Sequence, residues 1–387
     1  MRPARILALT LVAIVQAAAL AAASPPAGPS LPSEIVRYAG GASSLDARVA
    51  WGEGEVQRFE SGRVVWVGYS IRVLMDENEM IGSYSERRGL DSLTVAEVLA
   101  GKRQVAVLPS SGETVRRTAK EVLEKLEKGR ADKKIPKDVA IFCRYEVGKP
   151  PSLSAVRMSN LDLAFDFEDR PLIWLGEATG EESLGLVSRL FDENHGDKAR
   201  EGLLAAAGIH GQAALAIPFL EKVLTGQDSE HLRKEAAFWI GQQHAESGLR
   251  ILVRVAQSDK SKEVREGCVF AISQVSLPQA VDELISLARG AEQADVRKQS
   301  VFWLGQMASK KAGAALEDFA RNGGNLEIQE QAVFALSELP DNQGVEPLIK
   351  LAKTHPDPRV RKKAIFWLGE CKDPRALETL VDILKGK

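Results

Sequence analysis

Cysteine is nearly missing from this chain, with three residues in 387. Three thiols cannot all pair within one molecule, and a chain this long has room for a core of its own, so a disulfide framework is excluded. Histidine is scarce as well, at five residues, which leaves little material for an imidazole-rich metal centre or a histidine-based acid–base site. An excess of either charge is also lacking. Lys plus Arg number 51 against 53 Asp plus Glu, a net charge of −2, and no basic footprint invites nucleic acid. There is no G-x-S-x-G elbow, Walker loop, H-E-x-x-H or C-x-x-C. Gly52-Glu53-Gly54 is too short to cradle a phosphate and reads as a hairpin turn. These absences point to binding rather than catalysis, and neither catalytic residues, cofactor nor metal is expected.

A long apolar stretch is present near the start. Residues 6–20 are apolar except for Thr10 and Gln16; Arg2 and Arg5 precede them, and Ala21-Ala22-Ala23 leads into Ser24-Pro25-Pro26. This is the layout of a secretory signal peptide over residues 1–23, with cleavage after Ala23. Cleavage removes two arginines and no acid, taking the net charge from −2 to −4. The expected product is periplasmic or secreted, without membrane insertion. Residues 24–33, rich in Pro and Ser, read as a flexible linker.

Residues 34–168 have a mixed texture that predicts an α+β domain. Strands are expected at 55–59 and 63–73, joined across Ser61-Gly62, and again at 104–108 and 139–147. Between the last two, Val115, Ala119, Val122, Leu123 and Leu126 mark one face of a helix over 113–128. The acidic cluster Asp166-Phe167-Glu168-Asp169 reads as a solvated junction between this domain and the C-terminal half.

From 169 to 387 a ten-residue phrase recurs every 32 residues. It begins at Leu232, Val264, Val296, Ile328 and Val360, and its tenth position is Gly241, Ser273, Gly305, Ser337 and Gly369. Gly176 and Gly208 extend the series upstream, the first copy being the degenerate Pro171-Leu172-Ile173-Trp174-Leu175-Gly176. A fixed period of this size marks a stack of small units that bury their apolar faces only against one another. Each copy reads as helix, turn, helix, giving about seven helix pairs. Cys268 takes a place held by Ala or Ser in the other copies and reads as a small buried residue.

The run Asp357-Pro358-Arg359-Val360-Arg361, with Ala364 and Leu368-Gly369 and then Asp373-Pro374-Arg375-Ala376-Leu377, resembles HEAT-like repeats of the short, phycobilin-lyase type. The resemblance implies an all-α right-handed superhelix whose second helices line the concave side. Such repeats serve as scaffolds more often than as enzymes. Deoxyhypusine hydroxylase, built on similar repeats, holds two irons with His-Glu pairs at positions three and four of the phrase. Here those positions are Lys234-Glu235, Glu266-Gly267, Lys298-Gln299, Glu330-Gln331 and Lys362-Lys363, which does not support that chemistry. In similar stacks the arginine at position two (Arg233, Arg265, Arg297, Arg361) pairs with an acid of the preceding loop, a role open here to Asp295 and Asp357. His210 and His244, in equivalent turns, read as solvated.

Two aromatic columns remain. Position eight alternates Trp239, Ala271, Trp303, Ala335, Trp367, with Trp174 and Ala206 upstream, and large beside small predicts a packed core column. Position seven is Phe238, Phe270, Phe302, Phe334 and Phe366. It falls about 150° from the centre of the apolar stripe, so it is either folded into the clefts between first helices or left as an exposed ladder. On the second helices, Asp282, Glu346 and Glu378 share one position, which suits a basic partner if it faces the groove. The expected function is that of an exported, non-enzymatic scaffold binding a protein partner or a second copy. The alternative is a protein-modifying enzyme of lyase or metal-dependent type.

Overall fold

The computed structural model describes residues 29–41, 43–77, 79–82, 92–103, 134–307 and 309–385. The expected signal peptide, the strand at 104–108 and the helix at 113–128 lie outside the described residues. Two compact units emerge, the first ending at Ala216 and the second starting at Ile217. The division is not at 168/169, where the repeat phrase placed it.

The first unit contains β1 (Ile35–Arg37), α1 (Leu45–Val56), β2 (Val64–Asp76), α2 (Val95–Leu99), β3 (Lys134–Glu146), β4 (Ser152–Asn160), β5 (Leu172–Glu177), α3 (Gly180–Glu193) and α4 (Asp197–Gly208). The strands form one mixed sheet in the order β1-β5-β2-β3-β4. β5 runs parallel to both β1 and β2, while β3 runs antiparallel to its two neighbours, β2 and β4. Strand alternation puts Trp66 and Phe142 on one face, where they meet Phe165, Phe167 and the short α2. Val67, Tyr69 and Tyr145 point to the other face, beneath α1 and α3. There Tyr69 shares a hydrogen bond with Ser183 (2.9 Å), and Tyr145 donates to Glu53 (3.0 Å). The expected strands at 63–73 and 139–147 are thus realised as β2 and β3.

Five local expectations are corrected. Residues 55 and 56 end α1 instead of starting a strand, and Gly52-Glu53-Gly54 lies inside that helix. A Cβ on Gly52 would stand 3.3 Å from Leu175 and 3.4 Å from Val67, so the glycine sets how closely α1 sits on the sheet rather than forming a turn. The phrase at 171–176 is not a helix but the central strand β5. Leu172, Ile173 and Leu175 are buried on both faces of the sheet, and Gly176 turns to φ +86°, outside any right-handed helix. The acidic cluster lies within the first unit: Asp166 accepts from Ser30 N–H (3.0 Å) and Oγ–H (2.6 Å), and Glu168 pairs with Arg157 (3.1 Å). Those bonds also show that part of the supposed linker is fastened to the sheet, with Phe167 N–H donating to the Ser30 carbonyl at 3.0 Å.

Helix pairs make up the rest of the chain: α5 (Ala213–Thr225) after α4, then α6 (Glu230–Gln242) with α7 (Glu246–Ser258), and α8 (Lys262–Gln274) with α9 (Gln279–Gly290). Next come α10 (Ala294–Gly305) with α11 (Lys310–Asn322), α12 (Leu326–Ser337) with α13 (Val345–Thr354), and α14 (Pro358–Glu370) with α15 (Pro374–Leu384). The chain passes from the first unit to the second inside α5. First helices start on polar caps: Ser229, Ser261 and Asn325 accept from the N–H of the residue three further on, at 3.3, 3.3 and 2.9 Å. Among the described residues no helix is long and apolar enough to cross a membrane.

Candidate interaction surface

The first helices bury phrase positions one, five, six and nine. In α8 these are Val264, Cys268, Val269 and Ile272, and in α12 Ile328, Ala332, Val333 and Leu336. Burial pushes the Cys268 thiol pKa well above its ordinary value, in keeping with an inert packing residue. Position seven lies on the opposite side of the helix. Phe238, Phe270, Phe302 and Phe334 are half-buried there, and Phe366 is 56% exposed.

These phenylalanines interlock with the tryptophans of position eight. Phe238 and Phe270 stack with centroids 6.3 Å apart and planes 8° from parallel; Phe302 and Phe334 repeat this at 6.3 Å and 15°. Trp303 bridges to Phe270 at 4.9 Å, and Trp367 to Phe334 at 5.1 Å. Trp239, Trp303 and Trp367 each meet the phenylalanine of their own helix edge-on, at 5.1, 5.0 and 5.0 Å. The result is a ridge of eight rings in unbroken contact across five first helices.

The tryptophan column is therefore not core. Trp239, Trp303 and Trp367 are half-buried, whereas the intervening Ala271 and Ala335 are fully buried, and Trp174 belongs to β5. Each tryptophan leans outward because the neighbouring phenylalanine offers a better surface than the tightly filled space between first helices. The real period of the ridge is two helix pairs. Position ten alternates in step: a Cβ on Gly241 would stand 2.7 Å from the Ala271 carbonyl oxygen, and one on Gly305 2.7 Å from that of Ala335. In the other copies Ser273 and Ser337 donate to the Phe270 and Phe334 carbonyls at 2.7 and 2.6 Å. Position three alternates too, as Lys234, Glu266, Lys298, Glu330 and Lys362. Both alternations are visible in the sequence, though a 32-residue reading passes over them.

The position-two arginines serve the stack, but not by each pairing with the acid of its own preceding loop: Asp295 is taken by Arg265 of the copy before. Arg265 reaches back to the Asp259 carbonyl (2.8 Å) and forward to Asp295 (2.9 Å). Arg297 takes the Ala291 and Glu292 carbonyls at 2.6 and 2.8 Å, and Arg233 pairs with Asp259. Asp357 instead binds Arg359, at 3.0 Å. The guanidinium cations thus cap carbonyls at the C-terminal ends of the preceding helices, where the helix dipole favours them.

Asp282, Glu346 and Glu378 are all exposed. Asp282 pairs with Lys311 on the next second helix, and Glu346 is within electrostatic reach of Arg375. That cross-repeat neutralisation weakens the acidic row. Among the histidines, His210 is 2% exposed, with neither ring nitrogen hydrogen-bonded among the described residues, so it is not a solvated turn side chain. His244 is exposed, and its ring accepts from Ser276 N–H at 3.2 Å, linking successive turns. Among the described residues no three His, Cys, Asp or Glu side chains converge as metal ligands. An open cleft of about 400 Å³ on the first unit is lined by Arg72, Glu177, Thr179 and Glu182. Its Arg72 is tied to Asp138 (2.8 Å), and its Glu182 accepts from Thr179 and Leu45 N–H (3.0 and 3.1 Å).

A family model described as HEAT repeats matches residues 217–305, 249–337 and 313–387. Residues 217–387 are HEAT repeats. Human deoxyhypusine hydroxylase in complex with glycerol is similar over 51% of this chain and 76% of its own, at 21% identity and a TM-score of 0.23. The CpcE–CpcF complex of phycocyanin lyase from Nostoc sp. is similar over 50% and 79%, at 19% identity and a TM-score of 0.28. YibA of Escherichia coli is similar over 53% and 76%, at 20% identity and a TM-score of 0.31. The family match, and not these distant likenesses, carries the assignment. No curated protein matches the chain significantly.

Proposed function

We propose that this chain is an exported, non-enzymatic scaffold that binds a protein partner along the aromatic ridge of its HEAT repeats. The observation that carries the proposal is the ridge itself. Eight touching rings are left partly exposed, seven of them half-buried and Phe366 at 56% exposure, and contiguous apolar surface of this kind marks sites of association. Stacked rings also lose little side-chain freedom on binding, since their neighbours already hold them. The alternating Lys and Glu of position three border the rings without giving the surface a net sign, which favours an extended apolar or aromatic segment over a strongly charged one.

The test compares capture of partner by the mature protein and by two charge-altering variants, each first shown by circular dichroism to remain folded. Phe270→Lys/Phe302→Lys is expected to lower capture at least about tenfold, a loss of roughly 1.4 kcal/mol, while Asp282→Lys/Glu346→Lys leaves it unchanged. Equal capture by the ridge variant sinks the reading, and loss in the acidic variant alone moves the site to the second helices. Export rests on Arg2, Arg5, the apolar run at 6–20 and Ala21-Ala22-Ala23. Mass spectrometry of the exported fraction should find a chain starting at Ser24. A chain confined to the cytoplasm with Met1 intact would refute export without touching the ridge.

A further inference from the structure

The helix α15 carries two apolar faces. One holds Ala376 and Thr379, both buried. The other presents Leu377, Val381 and Leu384, which are 66%, 38% and 87% exposed and form one stripe through their spacing of four and three. The equivalents of Leu377 and Leu384 in earlier second helices are buried: Val345 and Ala352 in α13, Val281 and Ala288 in α9, Leu249 and Ala256 in α7. What covers them is visible in the array. Each of α7, α9, α11 and α13 packs against the first helix of the following pair, and α15 has no such neighbour among the described residues. The stripe therefore has the chemistry of a helix–helix seam with one side in place.

We propose that a second copy of this chain supplies the other side, α15 packing antiparallel on α15 about a two-fold axis near Val381. In that arrangement Leu377 of each copy lies against Leu384 of the other, and the two Val381 side chains meet at the axis. An isologous contact must be self-complementary, and the flanking charges satisfy this. Glu378 directly follows Leu377, and Lys385 directly follows Leu384, so Glu378 of one copy comes beside Lys385 of the other, twice. Both side chains are exposed, and no ion pair engages either among the described residues, whereas the neighbouring Asp382 already pairs with Lys353 (3.8 Å). The apolar stripe provides the attraction, and the charge pairs choose the antiparallel orientation over the parallel one.

Sedimentation of the mature full-length protein tests this, using variants at exposed positions that leave the fold intact. The wild type is expected to show a concentration-dependent monomer–dimer equilibrium. Leu377→Glu/Leu384→Glu should abolish it. Glu378→Lys alone and Lys385→Glu alone should each weaken it by about tenfold, by setting like charges against each other, while the double swap Glu378→Lys/Lys385→Glu restores it. A monomer at every concentration overturns the proposal, as does a dimer indifferent to these changes. Self-association lost only in Phe270→Lys/Phe302→Lys overturns it as well, by placing the contact on the ridge. Partner capture by a strictly monomeric protein would leave the scaffold reading standing and sink this one alone.

Discussion

Gly305→Val is expected to destabilise the repeat array by about 3 kcal/mol, near the upper end for overpacking a filled site. A Cβ there would lie 2.7 Å from the Ala335 carbonyl oxygen and 2.9 Å from both its Cα and Cβ. Two of those three atoms are backbone, so no rotamer change relieves the clash; α10 must move away from α12 and disturb the ridge on its other side. Ser337, at the same phrase position one copy later, is the control. Its hydroxyl only returns a hydrogen bond to the Phe334 carbonyl (2.6 Å), so Ser337→Ala should cost about 1 kcal/mol or less. Urea unfolding of the two variants checks the difference. Equal midpoints would mean that the two-pair alternation has no packing consequence.

Acid is expected to weaken the first unit through His210 before the carboxylates respond. Burial lowers the pKa of this imidazole from its ordinary value near 6.5 to about 4. The folded value lies below the unfolded one, so the unfolded chain binds the proton first, and stability rises with pH across that window. From about pH 7 down to about pH 4.5 the loss is roughly 2.5 kcal/mol for this one group. A lower window with the same sign belongs to carboxylates such as Asp373, held down to about 2 by Arg375, and to Asp357, held down by Arg359. Their contribution is present above the ordinary carboxylate range and lost only in stronger acid. His210→Leu removes a ring whose nitrogens have no hydrogen-bond partner among the described residues, so it should be tolerated near neutrality and should flatten the fall between about pH 7 and 4.5. An unchanged pH profile in that variant, measured by denaturant unfolding, would show that another group carries the acid sensitivity.

Much of the ridge was legible beforehand. Five phenylalanines at one phrase position, some 150° from the apolar stripe, place a row on the far side of the first helices whatever the supercoil. Whether that row is hidden or open was not legible, because the answer depends on the distance between successive first helices. The tryptophans were misplaced for a related reason. Alternation with alanine signals size complementarity, but it does not say on which side of the alanine the large ring lies. His210 was misread because a position just past a helix is usually wet, and only the chain packed around it makes it dry.

The helix pairs of the HEAT array, their register and the row of five phenylalanines on the ridge are legible in the sequence. Each of these comes from a local period repeated several times, and repetition averages out the noise in any one copy. Tertiary structure alone decided that Leu172–Glu177, which carries the same phrase, is a strand. It also decided that α15 leaves an apolar stripe uncovered and that Asp282 is neutralised by Lys311. Those outcomes turn on what lies next to a segment in space. Leu172–Glu177 has edges for β1 and β2 to bond, and backbone hydrogen bonds that a neighbouring strand can satisfy outweigh a modest preference for helix.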